Sequence, residues 1–211
     1  MLGRVIRVAK LIHLVGSSGT GKGSVHKYLV GYLRGQGGSV VELVEPPEPF
    51  HQFIKNYRLR PDKDALVEAA MFATARLWLY ETQVMPRLED PNLVFLSDRG
   101  LLDSFVYQGV LGGVGVETVQ RLNQHVPLPD LAIGLIVDGV EGNRRVLERR
   151  GATGEALSAN ETAAGIARVS NAYAGIGFTF PDMNYRTIDT TSMTLDEVKD
   201  VARSYVDEVL A

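Results

Sequence analysis

A lysine lies at the end of a glycine-rich segment, in a spacing that proteins use to bind the phosphates of a nucleotide. The segment reads G-S-S-G-T-G-K-G-S from Gly16 to Ser24 and completes the pattern G-x-x-x-x-G-K. It follows an apolar run, 11–15, and precedes a helix-length segment, 23–34, as the motif requires. Glycines let successive backbone N–H groups converge on phosphate oxygens, and Lys22 adds a positive charge at the β- and γ-phosphates. The segment therefore predicts a nucleotide-phosphate site.

The hydroxyl of this loop departs from the general motif. The general motif has Ser or Thr directly after the lysine, whereas this chain has Gly23 there and Ser24 one position later. Lys-Gly-Ser resembles the Lys-Gly-Thr of adenylate-kinase-type nucleoside monophosphate kinases. Alone, the loop leaves GTPase, ATPase, small-molecule kinase and sulfotransferase open. The residues predicted to bind the donor nucleotide are Gly16, Ser17, Ser18, Gly19, Thr20, Gly21, Lys22, Gly23 and Ser24.

A carboxylate and an arginine come directly after another apolar run. Leu93–Ser97 leads into Asp98 and Arg99, and Tyr107-Gln108-Gly109 follows. In a parallel sheet the carboxyl end of this strand lies beside the phosphate loop, where magnesium and its water ligands bind. Asp98 and Ser24 are therefore candidate Mg²⁺ ligands, and Arg99 can donate paired hydrogen bonds to a phosphate group. Spacing alone leaves a plain surface ion pair between Asp98 and Arg99 as the alternative.

Short apolar runs alternate with longer amphipathic segments along the chain, which is typical of a parallel sheet with helices on both faces. The predicted strands are 11–15, 40–44, 93–96, 131–137 and 185–188. The predicted helices are 23–34, 65–88, 116–124, 142–150, 159–174 and 195–210, with capping boxes at 158–161 and 194–197. No repeat or linker interrupts this pattern. We therefore expect one α/β domain over 1–211, a P-loop three-layer α/β/α sandwich with a five-stranded parallel sheet.

The composition excludes several classes of protein. The chain has 211 residues, 45% of them hydrophobic, and a net charge of −3, which suits one domain with a buried core. The absence of Cys excludes thiol nucleophiles, zinc–thiolate sites and iron–sulfur clusters. The mild acidity argues against nucleic-acid binding through a basic surface. The apolar run 131–137 is too short for a membrane span, and the charged start is unlike a signal peptide, so we expect a cytoplasmic protein.

The order of the motifs resembles the thymidylate kinase family along essentially the whole chain. Asp98-Arg99 with Tyr107-Gln108-Gly109 is similar to the Asp-Arg-Tyr and Ala-Tyr-Gln signature of that family. Met71-Phe72-Ala-Thr-Ala-Arg76 is similar to its Leu-Phe-x-Ala-x-Arg helix. Further similar segments are Met85-Pro86, Pro129-Asp130-Leu131, Arg149-Arg150-Gly151 and Ala172-Tyr173. The resemblance implies transfer of the γ-phosphoryl group of ATP to dTMP with Mg²⁺, in a homodimer.

The resemblance also implies roles on the acceptor side. Phe72 would stack on the acceptor base, and Arg76, one helical turn further, would hydrogen-bond its exocyclic oxygen. Arg99 would bind the acceptor phosphate, and Tyr107 would lie against the deoxyribose. The complete set of implied acceptor residues is Lys55, Phe72, Arg76, Arg99, Ser104, Tyr107 and Gln108.

A basic helix end followed by glycines predicts a mobile lid. Arg145, Arg149 and Arg150 precede Gly151-Ala-Thr-Gly154, a composition suited to closing cations over a phosphoryl group in transfer. The predicted lid spans about 142–160. Arg145 is assigned to the nucleotide, and the predicted catalytic residues are Lys22, Asp98, Arg99, Arg149 and Arg150.

Several positions depart from the family pattern, and most of them lie on the acceptor side. Ser18 stands where the family has an acidic residue, and residues 152–155 replace the Asp-Arg-x-Glu of its lid. The remaining departures are Val44 and Lys55 in place of Arg, Gly100 in place of Tyr, and Asp103 in place of Ser. Two alternatives to dTMP phosphorylation follow: a kinase for another deoxynucleotide or a nucleoside, and a nucleotide-binding protein without turnover.

Overall fold

The computed structural model describes residues 8–151 and 157–211, which form a parallel sheet between two layers of helices. The strands are β1 (Lys10–Gly16), β2 (Ser39–Val44), β3 (Leu93–Asp98), β4 (Leu131–Ile136) and β5 (Tyr185–Asp189). The α-helices are α1 (Lys22–Gly35), α2 (Phe50–Arg58), α3 (Ala65–Leu79), α4 (Leu101–Ser104), α5 (Val116–Leu122), α6 (Gly139–Arg150), α7 (Ala163–Ile176) and α8 (Leu195–Leu210). Short 3₁₀ turns cover Met85–Arg87, Ala159–Glu161 and Gly177–Thr179, and π-helical turns cover Tyr80–Val84 and Phe105–Leu111.

The five strands lie in the order β2-β3-β1-β4-β5, and every neighbouring pair is parallel. β1 is central, and its register pairs Leu14 with Asp98 of β3 on one side and Gly16 with Leu135 of β4 on the other. The phosphate loop and Asp98 therefore emerge at the same edge of the sheet, as expected for a ligand site at the carboxyl ends of parallel strands.

Alternate residues of β1 face opposite layers, which confirms the predicted three-layer sandwich. Ile12 and Leu14 pack with α1 and α8, whereas Leu11 and Val15 pack into the opposite layer, with α3 and α7 respectively. The central strand is almost completely buried, so it reads as a continuous apolar run rather than as an alternating one.

The five predicted strands are confirmed, each to within two residues at either end. The single helix predicted over 65–88 is wrong in detail, because α3 passes into the π-helical turn at Tyr80 and then into a 3₁₀ turn that contains Pro86. The helix predicted from Ala159 begins instead at Ala163, with Thr162 as its N-cap and Ser158 capping the preceding 3₁₀ turn.

Two helical segments are absent from the sequence predictions. One is α2, and the other is the continuous stretch of α4 and the π-helical turn Phe105–Leu111. Both border the candidate site. Of the helices in the described ranges, none combines the length and the apolar character that crossing a bilayer requires.

Candidate active site

The phosphate loop connects the end of β1 to the start of α1 and takes backbone conformations that favour glycine. Gly19 and Gly21 have φ angles of 83° and 82°. A Cβ atom on Gly19 would overlap the carbonyl oxygen of Gly142 in α6. The glycines therefore serve the turn itself and its close approach to α6, while the N-terminus of α1 points its free N–H groups at the loop.

Two side chains of the loop are buried and hold its shape. The Ser170 hydroxyl donates to the Val137 carbonyl at 2.9 Å, so the Ser17 hydroxyl, 2.8 Å away, donates to Ser170. The Thr20 hydroxyl donates to the Ser17 carbonyl at 2.9 Å, and both Ser17 and Thr20 are buried. These two residues can therefore offer a nucleotide their backbone N–H groups, whereas the Ser17 hydroxyl connects the loop to α7 and the Thr20 hydroxyl bonds within the loop.

The loop lysine is paired with the strand-end carboxylate. Lys22 Nζ forms an ion pair with Asp98 Oδ1, although the two residues are far apart in sequence. Ser24 is exposed and lines the same cavity. Asp98 and Ser24 both offer oxygen ligands, and Mg²⁺ commonly takes one or two protein oxygens and completes its shell with water and phosphate. The donor set therefore fits this ion.

A cavity of about 970 Å³ surrounds the loop and is the candidate donor site. Its walls carry an excess of cationic side chains, which suits a polyphosphate. The lining comprises the loop residues 16–24, Asp98, Arg99, Tyr107, Glu141, Arg144, Arg145, Arg149, Glu161, residues 191–195 and Val198. Residues 191–195, where β5 leads into α8, form one wall of the cavity. They were not predicted as site residues from the sequence.

The three arginines predicted for the lid have different partners. Arg145 donates to Glu141 Oε1 at 2.7 Å and to the carbonyl oxygens of Thr190 and Thr191 at 2.8 and 3.2 Å. Arg150 donates to both oxygens of Glu161, at 2.9 and 2.8 Å. No carboxylate in the described ranges pairs with the exposed Arg149, so its charge faces the donor cavity unneutralised. Part of the predicted lid, residues 152–156, lies outside the described residues.

The Glu141 carboxylate stays ionised beside the donor cavity. Hydrogen bonds from the guanidinium groups of Arg144 and Arg145 lower the pKa of Glu141 to about 2. Its negative charge therefore fixes these two arginines at neutral pH rather than adding a proton-transfer group to the site.

A second cavity, of about 670 Å³, opens on the other side of Arg99 and is the candidate acceptor site. It contains all seven residues that the resemblance assigns to the acceptor. The lining comprises Ser18, Glu45, Pro46, His51, Ile54, Lys55, Arg58, Leu59, Lys63, Phe72, Arg76, Arg99, Asp103, Ser104, Tyr107, Gln108, Ser158, Asn160 and Glu161. Two cations of this cavity, Arg58 and Lys63, were not predicted from the sequence. Arg58 lies on α2, one helical turn after Lys55, and α2 itself was not predicted.

Arg76 is buried, and its guanidinium donates hydrogen bonds to several protein groups. Its Nε donates to Glu45 Oε2 at 2.8 Å and its Nη1 to Asn123 Oδ1 at 2.7 Å. Its Nη2 donates to Ser104 Oγ at 3.0 Å and to the Gly100 carbonyl at 3.3 Å. Only 2% of the side chain is exposed. The guanidinium thereby joins α3 to the end of β2, to α5 and to the turn before α4.

Two polar side chains of this cavity, Ser104 and Gln108, have partners that determine which of their groups remain free to donate or accept a hydrogen bond. Because Ser104 Oγ accepts from Arg76, its hydroxyl proton is available to another acceptor. Gln108 Nε2 donates to Glu68 Oε1 at 3.0 Å, which directs the Gln108 carbonyl oxygen away from Glu68. Ser104 and Gln108 lie one helical turn apart, so the cavity offers a donor beside an acceptor.

Arg99 lies where the two cavities meet. Four residues line both cavities, namely Ser18, Arg99, Tyr107 and Glu161. The backbone of Arg99 has a φ of 92°, and its N–H donates to the Leu14 carbonyl at 3.0 Å. The Asp103 carboxylate raises the pKa of the Arg99 guanidinium, which burial opposes, so this side chain is charged between the two cavities.

The glycine after Arg99 has a steric explanation. His13, fully buried on β1, places its imidazole against Gly100, and a Cβ atom there would overlap the ring. His13 Nε2 is 2.8 Å from the Tyr80 hydroxyl, which fixes the ring. The His13 ring thus explains why this turn carries a glycine.

The fold and the phosphate loop define a P-loop nucleotide-binding α/β protein, in which the loop ends the central strand and opens onto two joined cavities. Comparison with known proteins is more specific. The family model described as Thymidylate kinase matches residues 15–199. The thymidylate kinase of Desulfotalea psychrophila is 31% identical over 175 residues, covering 81% of this chain and 83% of that relative. The chain therefore belongs to the thymidylate kinase family and is an ATP-dependent phosphotransferase.

Two further similarities agree with this assignment. A probable thymidylate kinase of Pyrobaculum aerophilum is 33% identical over 143 residues, covering 67% of this chain and 71% of that relative. The crystal structure of the Ehrlichia chaffeensis thymidylate kinase aligns with a TM-score of 0.69 at 20% identity, covering 94% of this chain and 98% of that one. At this identity, the structural likeness shows the shared fold.

Proposed function

We propose that the chain transfers the γ-phosphoryl group of ATP to dTMP, giving dTDP and ADP. The observation that carries this proposal is the position of Arg99 between a phosphate-loop cavity and a second cavity that contains Phe72 and Lys55. Such a transfer needs the donor and acceptor phosphates in line, with cations around the charge that develops between them. An arginine shared by both cavities suits that position.

On the donor side, the backbone N–H groups of residues 16–21 and the Lys22 ammonium hold the phosphates of ATP. Lys22 exchanges its pairing with Asp98 for the β- and γ-phosphates when the nucleotide binds. Arg149 supplies a further cation from α6, and Arg145 braces α6 against residues 190 and 191. Arg150, held by Glu161, reaches the phosphates when that pairing opens.

Asp98 and Ser24 hold the magnesium ion in this proposal. When bound, the ion would neutralise charge on the donor phosphates. Asp98 remains available for this role because Lys22 transfers to the phosphates, and Ser24 lines the same wall of the cavity.

On the acceptor side, Arg99 and Lys55 hold the phosphate of dTMP. Arg58, one helical turn after Lys55, adds charge at the cavity mouth, although Glu68 lies 3.4 Å from its Nε. Phe72 stacks on the base and Tyr107 lies against the deoxyribose. Burial, followed by the Asp103 charge, raises the pKa of Tyr107, so its hydroxyl stays neutral beside the sugar.

The hydrogen-bonding groups of Ser104 and Gln108 favour thymine over cytosine. The Ser104 hydroxyl can donate to a ring carbonyl, and the Gln108 carbonyl can accept from the adjacent imide N–H. Cytosine has an amine donor in place of this ring carbonyl and a ring nitrogen acceptor in place of the imide N–H, which reverses the pattern. Arg76 acts on the base through Ser104 in this arrangement.

A coupled ADP-release assay with a panel of acceptors tests the proposal. The panel contains dTMP, dUMP, dCMP, dAMP, dGMP and thymidine, each at several concentrations. We expect the largest kcat/KM with dTMP and at least about 10²-fold less with dCMP, because unpaired buried polar groups are costly. Preference for another acceptor would replace dTMP in the proposal, and ATP binding without turnover of any acceptor would reject a kinase function.

We also propose that the chain is a cytoplasmic homodimer that pairs through the outward face of α3. That face presents Val67, Leu77 and Trp78 to solvent, and Met85 in the later 3₁₀ turn is also exposed, while the opposite face carries Phe72 and Arg76. A contiguous apolar helix face suits burial against a second copy. Light scattering should give twice the chain mass, and Leu77→Glu should halve it. A wild-type chain that stays monomeric at high concentration would reject the dimer.

A further inference from the structure

Asp103 is a buried carboxylate at the wall of the acceptor cavity. It lies in the first turn of α4, and 11% of its side chain is exposed. A carboxylate lining a cavity for a phosphate is unfavourable unless its charge serves a neighbour. No function was predicted for this residue from the sequence.

The two oxygens of the Asp103 carboxylate have different partners. Oδ2 accepts from the backbone N–H of Gly100 at 2.9 Å. Oδ1 lies 3.3 Å from Arg99 Nη1 and accepts from the Tyr173 hydroxyl at 2.9 Å. One carboxylate therefore contacts the Arg99 guanidinium and also fixes the peptide unit that follows Arg99.

This support matters because the Arg99 backbone is strained. Its φ of 92° is the only positive φ of a non-glycine residue in the described ranges. An arginine side chain with half of its surface exposed would otherwise sample many rotamers. Asp103 restricts both the backbone and the side chain of Arg99. The hydroxyl of the fully buried Tyr173 donates to Asp103 from the protein interior.

We propose that Asp103 is a positioning residue, which holds the Arg99 guanidinium at the junction of the two cavities in the orientation needed for phosphoryl transfer. The inference rests on the proposed function and assigns its effect to kcat. Pre-orientation lowers the barrier to transfer because the cation is already in place when charge develops. The negative charge of Asp103 also weakens the attraction of Arg99 for the bound acceptor phosphate. Loss of Asp103 therefore lowers kcat without raising the KM for the acceptor.

The test compares Asp103→Asn and Asp103→Ser with the wild type, with kcat and the acceptor KM measured separately for the acceptor that the wild type prefers. We expect kcat to fall by about 10- to 100-fold in both variants, with the acceptor KM unchanged or lower. Asp200→Asn is the matched control, since it makes the same change to an exposed carboxylate that pairs with Arg203 on α8 and lines neither cavity. Its kcat should stay within about threefold of the wild type.

A double-mutant cycle shows whether Asp103 acts through Arg99. In an Arg99→Ala background, Asp103→Asn should change kcat by less than about twofold, because the group that it positions is absent. A kcat near the wild-type value in the single variants, a raised acceptor KM, a full further loss in the Arg99→Ala background, or failure of both variants to fold would each overturn the proposal. Absence of turnover in the wild type would instead reject the proposed function.

Discussion

At the scale of single residues, Lys22 and Asp98 form an ion pair, which a bound nucleotide separates in the proposed function. Only 13% of the Lys22 side chain is exposed, so its ammonium needs a partner. Asp98 is that partner, at the end of the neighbouring strand. A donor phosphate chain offers Lys22 a stronger partner, and it leaves Asp98 free for a hard cation. The ion pair therefore holds both groups in place before the substrates bind.

Lys22→Ala removes the one cation that the phosphate loop itself supplies. We expect kcat to fall by about 10²- to 10³-fold, since the developing phosphate charge loses a positioned cation. Steady-state kinetics with ATP and the preferred acceptor measure the loss. Lys27→Ala, an exposed lysine on the same helix, is the matched control and should keep wild-type activity. Equal activity in both variants would contradict the assignment of the loop.

Arg76 makes a different contribution, since its partners are protein groups. Arg76→Met would leave the buried Glu45 carboxylate without its cation and Asn123 without its donor. We expect a loss of about 3–5 kcal/mol in the free energy of unfolding, measured by urea titration. Gln120→Ala, at an exposed position of α5, should change that free energy by less than about 0.5 kcal/mol. A stable Arg76→Met chain that has lost only acceptor affinity would show instead that Arg76 serves the ligand directly.

At the scale of elements, two glycines near the same helix should respond oppositely to alanine. Gly31 lies in the exposed interior of α1 with open space around its Cα, so Gly31→Ala should stabilise the fold by about 0.5–1 kcal/mol. Gly19→Ala should destabilise the loop, because φ is 83° and the new Cβ overlaps Gly142. Thermal unfolding measures both shifts. Equal shifts in the two variants would mean that the loop is free to rearrange.

The start of α8 gives the fold a dependence on pH. Hydrogen bonds from the backbone and hydroxyl of Thr194 lower the pKa of Glu197 below its ordinary 4.5. Because the folded-state pKa is depressed, this stabilisation is complete above about pH 4.5 and declines as the pH falls through the lower folded-state value. The difference in urea midpoint between wild type and Glu197→Gln should therefore shrink between about pH 6 and pH 3. A constant difference would contradict the capping role.

The elements with one strong local pattern were predictable, and those shaped by their surroundings were not. Each strand is an apolar run bounded by polar or turn residues, and the register then follows from parallel pairing. The exception is α2, in which a clear helical spacing is followed by Phe50, Phe53, Ile54 and Tyr57. The segment is only nine residues long and prolines flank it, and it was not predicted. The π-helical turn at 105–111 breaks the regular helical period just where Tyr107 and Gln108 enter the cavity.

The same distinction holds for the site. The phosphate loop is contiguous in sequence, so its chemistry could be predicted from spacing alone. The environment of Arg76 depends on Glu45 and Asn123, which tertiary packing brings to it from β2 and α5. No local pattern encodes such a cluster. Resemblance to a family could point to Arg76, but its burial required the structure.

At the scale of the whole molecule, the two cavities form one continuous site around Arg99. Ser18, Tyr107 and Glu161 line both sides of the junction together with it. In the proposed function, a donor bound in one cavity therefore places its terminal phosphate next to an acceptor phosphate in the other. Direct transfer between two bound substrates needs this arrangement, because a phosphoryl group released to water would be lost to hydrolysis.

Continuity of the two cavities predicts that one linked compound can occupy both. Adenosine and deoxythymidine, joined at their 5′ oxygens by a chain of about four or five phosphates, should bind at least about 10²-fold more tightly than ATP or dTMP alone, because the second half then binds intramolecularly. Isothermal titration calorimetry measures the three affinities. Two adenosines joined by the same chain keep the charge but lack thymine, so they should lose most of the gain. If the thymine-containing compound binds no better than ATP, the two cavities are not occupied together, and the acceptor lies elsewhere on the molecule.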